Sequence, residues 1–182
     1  LGHYFGTNDI TKVDTTHPEF QKCEDEAKAK LNKFLEINGT RTSDDFHKAL
    51  GKIMWEYVGM ARNEAGLKTA ISEIQKLRKE FWQDLKVTGT NEGVNTELEK
   101  AGRVADFLEL GELMSRDALE RPESCGGHFR EESQTEENEA KRDDENYAHS
   151  AVWEFTGLDQ TPNRHKEELT FENVPLTQRS YK

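Results

Sequence analysis

The sequence predicts a mainly α protein, an antiparallel, spectrin-repeat-like bundle of three to four helices followed by a loop and a β-hairpin. Three observations predict this architecture. Apolar residues recur every three or four positions along four stretches between residues 18 and 122. Short polar connections separate these stretches, as in antiparallel bundles. From residue 147 the apolar period changes to two, which is typical of strands.

The first helix is predicted to begin at Pro18, after Thr16 or His17, because proline suits the first helical position. Its apolar stripe, which we expect in the core, is Phe20, Cys23, Ala27, Leu31 and Phe34. Asn38 and Gly39 end the helix, with Gly39 expected to supply the left-handed turn.

The second helix is predicted to start after Ser43, a good cap, and to stop near Arg62. Its stripe is Phe46, Leu50, Ile53 and Tyr57. Trp55 and Gly59 are four residues apart and should share a face of this helix, with Gly59 allowing another backbone to approach. Arg62 would then lie near the last carbonyls of the helix, where a positive charge is favourable.

The third helix is predicted from Asn63 or Glu64 to about Leu85, and the fourth from Asn95 to Arg121. The third stripe is Leu67, Ala70, Ile71, Ile74, Leu77, Phe81 and Leu85. The fourth stripe is Leu98, Ala101, Ala105, Leu108, Met114 and Ala118. Pro122 prevents continuation of the fourth helix.

Two segments with alternating apolar residues predict the hairpin, one from Tyr147 to Phe155 and one from Glu168 to Val174. Gly157 and Pro162 mark the connection between them. A lone hairpin is marginally stable in water, so we expect it to lie on the bundle or on a partner.

The charge is unevenly distributed along the chain. The net charge is -11, and fewer than a fifth of the residues are Leu, Ile, Val or Phe, a composition at the border of disorder. However, residues 131–145 alone contain eight acidic residues against Lys141 and Arg142. We therefore predict that this segment is a solvated loop and that the remainder folds around the helical stripes.

Composition and motifs exclude several classes of function. The longest apolar runs are three residues, far below the ~20 of a membrane-spanning helix. The acidic balance argues against nucleic-acid binding, which requires clustered Lys and Arg. Cys23 and Cys125 form no disulfide framework, which fits a reducing compartment. The first ten residues have neither the basic start nor the apolar run of a signal peptide.

Candidate chemistry is sparse. Cys125 and His128 have metal-ligand spacing, but no second pair stands at a suitable distance, so a metal site is not predicted. Asp143 and Asp144 are interpreted as a solvated face, with Arg142 paired to them locally. The chain contains no P-loop, dinucleotide fingerprint, nucleophile elbow or zincin motif. The residues alone predict a helical domain without an active site.

Two segments, however, carry a family resemblance. Residues 54–67, Met-Trp-Glu-Tyr-Val-Gly-Met-Ala-Arg-Asn-Glu-Ala-Gly-Leu, resemble the helical C-terminal domain of the succinate dehydrogenase/fumarate reductase flavoprotein subunit, as do residues 74–78. Residues 123–132 and 142–147 resemble that family's Glu-Ser-Arg-Gly-x-His-x-Arg-Glu-Asp and Arg-Asp-Asp-x-x-Trp motifs, with Cys125 in place of the arginine. The last residues, 178–182, resemble its Arg-x-Tyr terminus.

The resemblance implies a role in a larger protein. Such subunits bind FAD and interconvert succinate and fumarate, and their flavin-binding and catalytic residues belong to preceding FAD-binding and capping domains. No catalytic, cofactor-binding or metal-ligating residue is therefore assigned to this chain, and no cofactor is expected to bind to it alone. The resemblance implies a membrane anchor and an iron–sulfur subunit as partners, and a location on the cytoplasmic side of the inner membrane.

The resemblance also suggests a division of the chain. Residues 1–17 would lead in from the FAD domain, 18–122 would form the bundle, and 123–182 would form the acidic loop, hairpin and tail. We expect contacts with the FAD domain from Arg62, His128, Arg130, Arg142 and Asp143. Two alternatives remain open, namely the equivalent domain of L-aspartate oxidase and a stand-alone helical protein-binding module.

Overall fold

A computed structural model describes residues 1–10 and 14–177, and the predicted mainly α class is confirmed. The helices in these residues are α1 (Gly2–Thr7), α2 (Pro18–Ile37), α3 (Ser43–Tyr57), α4 (Glu64–Asp84), α5 (Thr96–Leu119) and α6 (Asp144–Tyr147). The strands are β1 (Arg41–Thr42), β2 (Ala61–Arg62), β3 (Leu85–Lys86), β4 (Phe129–Arg130), β5 (His149–Glu154) and β6 (Asn163–Glu168). The terminus resemblance at residues 178–182 lies outside the described residues.

The core lies between α3, α4 and α5, with α4 packed against both of the others. Ile74 of α4 and Leu108 of α5 are fully buried in it. Three phenylalanines close one end of this core, where Phe81 lies edge-to-face with Phe46 and Phe34 at centroid distances of 5.2 and 6.2 Å. Phe34 is the buried residue of α2 in this core, and Leu35 and Ile37 of α2 pack against it.

Side-chain caps set the starts of the helices. Asn63 accepts a hydrogen bond from the amide of residue 66 at 2.8 Å, and Asn95 caps α5 in the same way. The predicted starts of these two helices agree with the structure. The cap of α3 is one residue earlier than predicted. Thr42 forms a capping box with Asp45, and Ser43 is the first helical residue.

The α2 terminus uses its glycine differently from the prediction. Asn38 adopts the left-handed conformation, with φ of 46°. An ideal Cβ on Gly39 would lie 2.1 Å from the carbonyl carbon of Asp84. The amide of Gly39 donates to the carbonyl of Leu85 at 2.8 Å, next to the parallel pairing of β1 with β3. Gly39 is therefore needed because two backbones touch.

The prediction that the whole α2 stripe enters the core is wrong. Phe20, Cys23 and Leu31 are exposed, and only Phe34 of the stripe is buried. The contacts of α2 with the core come from its C-terminal half, so the N-terminal half extends away from the core. Met114 of α5, also predicted in the core, is exposed as well. Periodicity identifies an apolar face but does not identify what covers it.

The α3 helix ends at Tyr57 rather than near Arg62, so Trp55 and Gly59 do not share a helix face. Trp55 is 86% exposed. The backbone that approaches Gly59 is the preceding turn, since an ideal Cβ there would lie 2.9 Å from the Trp55 carbonyl oxygen. The chain then enters β2, which pairs in parallel with β4.

The hairpin pairs β5 with β6 antiparallel, with His149 opposite Glu168 and Glu154 opposite Asn163. The second strand was predicted at residues 168–174, which is wrong. The strand at 163–168 is polar and almost entirely exposed, so it has no apolar alternation to mark it. Trp153 attaches the hairpin to α5 by donating from Nε1 to Oδ1 of Asp117 at 2.7 Å.

The acidic segment is more ordered than the predicted solvated loop. Gln134 and Ala140 form an isolated bridge, and the end of the segment belongs to α6. Asp143 caps α6 by accepting from the amide of Asn146 at 3.2 Å. Within the described residues, no helix combines the length and apolar character needed to cross a membrane.

Candidate functional site

Four of the five residues predicted to contact another domain lie on one hydrogen-bonded network, centred on residues 121–132, here called the charged segment. Arg62 and Arg130 are register partners in the β2–β4 pair. His128 lies between Arg62 and the main chain of Arg121. Asp143 joins the network through its amide, whereas Arg142, the fifth residue, pairs with Asp144 instead.

His128 bridges Arg62 and the main chain of Arg121. Nη1 of Arg62 lies 3.0 Å from Nδ1 of His128, and Nε2 of His128 lies 2.8 Å from the Arg121 carbonyl oxygen. An arginine can only donate and a carbonyl can only accept. Nδ1 is therefore the acceptor and Nε2 carries the proton, which makes the imidazole neutral.

The surroundings of His128 favour that neutral form. Burial lowers the pKa of His128, and the bond to the Arg121 carbonyl opposes this only in part. The positive charges of Arg62, Arg130 and Arg121 lower the pKa further.

Arg62 closes the α3–α4 connection. Its Nε donates to the Gly59 carbonyl at 2.7 Å, beyond the end of α3. Burial lowers the pKa of Arg62, and the carboxylate of Asp117 opposes that effect. Arg62 was predicted beside the last carbonyls of the helix, whereas its acceptor is a carbonyl two residues beyond the end of α3.

Arg130 is buried and completes the C-terminus of α5. Its Nη1 donates to the carbonyls of Ala118 at 3.0 Å and Leu119 at 3.3 Å, which lack partners within the helix. Its Nε donates to Glu132 at 3.2 Å. Ser124, also buried, accepts from the Arg130 amide at 2.8 Å and donates to its carbonyl at 3.2 Å. Arg130 therefore makes these hydrogen bonds inside its own domain.

The charged segment also forms hydrogen bonds with the N-terminus of α4. Oε1 of Glu132 accepts from the amide of Glu64 at 2.6 Å, and Oε2 of Glu131 accepts from Nδ2 of Asn63 at 2.8 Å. A carboxylate at a helix N-terminus is favourable. Burial raises the pKa of Glu132, but hydrogen bonds from backbone amides and from Arg130 lower it overall.

Glu123 links the two family motifs, a role that the sequence reasoning missed. Its carboxylate is buried and accepts from Nε of Arg121 at 2.7 Å and from the amide of Asp143 at 2.8 Å. Arg142 pairs locally with Asp144 at 2.8 Å, as predicted. No periodic pattern marks Glu123, because it lies in a loop directly after Pro122.

The charged segment exposes a tip at residues 125–127. The amide of Cys125 donates to the carbonyl of His128 at 2.8 Å, and the reverse bond measures 3.1 Å. Gly126 has φ of 59°, which favours glycine. An added Cβ on Gly127 would have no neighbour within 4 Å. In the described part of the chain, no three His, Cys, Asp or Glu side chains form a potential metal site.

A second charged network, also missed, lies between α4, α5 and the hairpin turn. Arg78 and Glu112 are both buried and their side chains meet at 2.6 Å. Arg78 also donates to Asp159 at 2.9 Å, while Glu112 accepts from Gln75 and Arg116. A cleft of about 340 Å³ opens beside this network, walled by Leu110, Trp153 and Phe155. Charged residues within polar stretches give no periodic signal of such burial.

The fold and the network define a helical domain in which the charged segment binds the end of α5 and the start of α4. The chain belongs to the fumarate reductase flavoprotein C-terminal family, whose model matches residues 47–181.

Relatives agree with this assignment. A fumarate reductase (CoM/CoB) subunit of Methanothermobacter marburgensis is 35% identical over 106 residues, 58% of this chain and 18% of that protein. An uncharacterized FAD-dependent oxidoreductase of Methanocaldococcus jannaschii is 31% identical over 109 residues, 60% of this chain and 19% of that protein. The chain thus spans about a fifth of the curated relatives it matches.

The fold is shared with E. coli quinol fumarate reductase. That match has a TM-score of 0.77 at 20% identity and covers 95% of this chain and 28% of the other.

The β2–α4 connection does not fit the pyrophosphate of an FAD. A dinucleotide pyrophosphate needs a glycine-rich turn leading from a strand to a free helix N-terminus. The β2–α4 connection passes through Asn63, and the start of α4 already holds the Glu132 carboxylate. No step of flavin chemistry is therefore assigned to these side chains.

Proposed function

We propose that this chain is the C-terminal structural domain of an FAD-dependent flavoprotein subunit that interconverts succinate and fumarate. The observation that carries the proposal is the family match over residues 47–181 together with the charged segment, which connects both family motifs. In this proposal FAD and the reacting groups belong to the remainder of the subunit. The four long helices serve it as a spectrin-repeat-like antiparallel bundle.

The proposal extends to the assembly. The domain would pack on the FAD-binding and capping domains of the same subunit, with residues 1–17 leading in from the FAD domain. A membrane anchor and an iron–sulfur subunit would hold the complex at the cytoplasmic side of the inner membrane, without nucleic acid. The family description favours this role over L-aspartate oxidase or a stand-alone binding module.

The coding sequence upstream of Leu1 tests the proposal. We expect it to encode an FAD-binding fold in the same reading frame. A reading frame that begins close to Leu1 would instead support the stand-alone module. The purified chain, mixed with FAD and fumarate, should show neither bound flavin absorbance nor reduction, and tight flavin binding by the chain would overturn the proposal.

We further propose that the tip contacts the FAD-binding domain. Arg62, His128, Arg130, Arg142 and Asp143 then act mainly by holding the tip in place. Support comes from Gly127, which has open space around it in this domain although the bulk of the charged segment is tied down.

A bulky side chain at the tip tests this contact. Gly127→Trp in the full-length subunit should lower its FAD content and its fumarate reduction, while leaving the unfolding midpoint of the 182-residue chain unchanged. Gly93→Trp is the control, because Gly93 also has open space but lies in the α4–α5 connection. Unchanged FAD content and activity in the Gly127 variant would refute the contact.

A further inference from the structure

The contact between Arg62 and His128 requires one protonation state. Both imidazole nitrogens have partners, one a guanidinium and the other a main-chain carbonyl, at 3.0 and 2.8 Å. A guanidinium cannot accept a hydrogen bond or lose its proton at physiological pH. The observed arrangement can therefore exist only while Nδ1 of His128 is unprotonated.

We propose that His128 is a proton-operated latch, which ties β2 to the charged segment when neutral and releases the tip when protonated. Protonation places an N–H on Nδ1, where it faces Nη1 of Arg62 across 3.0 Å. The hydrogen bond is lost and two cations then stand in contact. The hydrogen bond from Nε2 to the Arg121 carbonyl can survive. Protonation therefore breaks only the contact between His128 and Arg62.

The groups around the latch cannot neutralise the added charge. The positive charges that act on His128 are those of Arg62 in β2, Arg130 in β4 and Arg121, two residues beyond α5. The carboxylates of this network have other partners. Glu123 holds Arg121 and the amide of Asp143, and Asp117 accepts from Trp153 while its charge acts on Arg62.

The sign of the effect follows from the direction of the pKa shift. Burial and the three arginines hold the pKa of His128 below its ordinary value of about 6.5, to which it returns when the latch opens. The latched state is fully stabilised above that value and is weakened as the pH falls below it. Opening at pH 5.5 should exceed opening at pH 7.5 by about tenfold, if the latched state binds no proton in this range.

Backbone hydrogen bonds close to His128 report the opening of the latch. The amide of Glu131 donates to the carbonyl of Arg62 at 2.8 Å, so it links the charged segment to β2 beside His128. The amides of Cys125 and His128 close the tip. If the tip contacts the FAD domain, as proposed above, the latch would make that contact acid-sensitive; the latch itself does not depend on the contact.

Amide hydrogen exchange of the chain tests the latch. After correction for intrinsic rates, the amides of Cys125, His128 and Glu131 should exchange about tenfold faster at pH 5.5 than at pH 7.5. His128→Gln keeps one acceptor and one donor but cannot titrate, so its exchange should not change with pH. His165→Gln is the control, because this exposed histidine pairs with Glu154 on the hairpin, and it should retain the tenfold effect.

A second variant covers the case in which His128→Gln fails to fold. Arg62→Gln removes the opposing cation and should raise the titration midpoint of His128, followed by NMR of the ring protons, while reducing the pH effect on exchange. The proposal is overturned if exchange in the His128→Gln protein keeps the wild-type pH dependence. It is equally overturned if His128 in the wild-type chain titrates at or above the ordinary histidine value.

Discussion

Nη1 of Arg130 donates to the carbonyl oxygen of Ala118 at 3.0 Å, in the last turn of α5. The arginine of a family motif thus completes a helix within its own domain. The last four carbonyls of a helix have no intrahelical partner, and the buried guanidinium donates to two of them here. Its positive charge also interacts favourably with the negative end of the helix dipole. The motif is therefore explained first by the stability of this domain, and only its exposed tip remains available for another domain.

Arg130→Ala should destabilise the chain by about 2–4 kcal/mol, because it leaves the last carbonyls of α5 without their donor and removes one of the hydrogen bonds to Glu132. Urea unfolding followed by circular dichroism measures the change. Arg103→Ala is the control, since Arg103 forms only an exposed pair with Glu99 one turn earlier, and no measurable loss is expected. Equal midpoints for both variants would contradict the assigned role of Arg130.

Ionisation of two glutamates on α5 should change the free energy of unfolding in opposite directions. Burial raises the pKa of Glu112, but hydrogen bonds from Gln75 and Arg116 and nearby arginine charges lower it overall. Its carboxylate then stabilises the fold above the ordinary glutamate value of about 4.3, and this stability is lost as the pH falls through the lowered value. Burial raises the pKa of Glu109 despite the charge of Arg78, so its ionised form opposes folding.

We therefore expect Glu112→Gln to lower the free energy of unfolding at pH 7 and Glu109→Gln to raise it. Both differences from wild type should shrink as the pH falls, because the wild-type carboxyls become neutral. Denaturant titrations at a series of pH values measure both variants. Changes of the same sign at pH 7 would be inconsistent with the assigned network.

Gly39→Ala should destabilise the chain by about 1–3 kcal/mol, since the new Cβ would overlap the backbone of Asp84 and force β1 away from β3. Gly51→Ala provides the matched control. Gly51 lies within α3 with no neighbour for a Cβ within 4 Å, so alanine should stabilise by about 0.5–1 kcal/mol through its helix propensity. Thermal unfolding of both variants should show shifts in opposite directions.

Ile74→Ala should cost about 2–5 kcal/mol, because Ile74 is fully buried between α3, α4 and α5. Phe20→Ala, in the exposed half of α2, should change the unfolding free energy by no more than about 0.5 kcal/mol. An unchanged denaturant midpoint for the Ile74 variant would refute its place in the core. A large loss for the Phe20 variant would show that the α2 stripe is covered.

Local chemistry made the helices predictable. Asn63 and Asn95 mark helix starts through caps that involve neighbouring residues only, and the stripes of α4 and α5 follow from a single period. Features that depend on distant parts of the chain were not predictable. Gly39 is explained by the distant Asp84, and Cys23 is exposed because no described element covers that half of α2.

In the candidate site, too, some features were predictable from the sequence and others depended on distant partners. Resemblance to a family grouped Arg62, His128 and Arg130, and the structure places them in one network. It did not predict that Arg130 points inward, because the partner is a main-chain carbonyl, which carries no side-chain signature. Glu123 and Arg78 were missed because buried charges in polar sequence resemble solvated ones until their partners are known.

The most direct test of the proposed function uses the protein encoded by the complete reading frame that contains this chain. After purification, its flavin content and its reduction of fumarate by a reduced viologen dye are measured. We predict bound FAD and turnover by the complete subunit, with neither in the 182-residue chain alone. A complete protein without flavin and without succinate or fumarate turnover would contradict the proposed function.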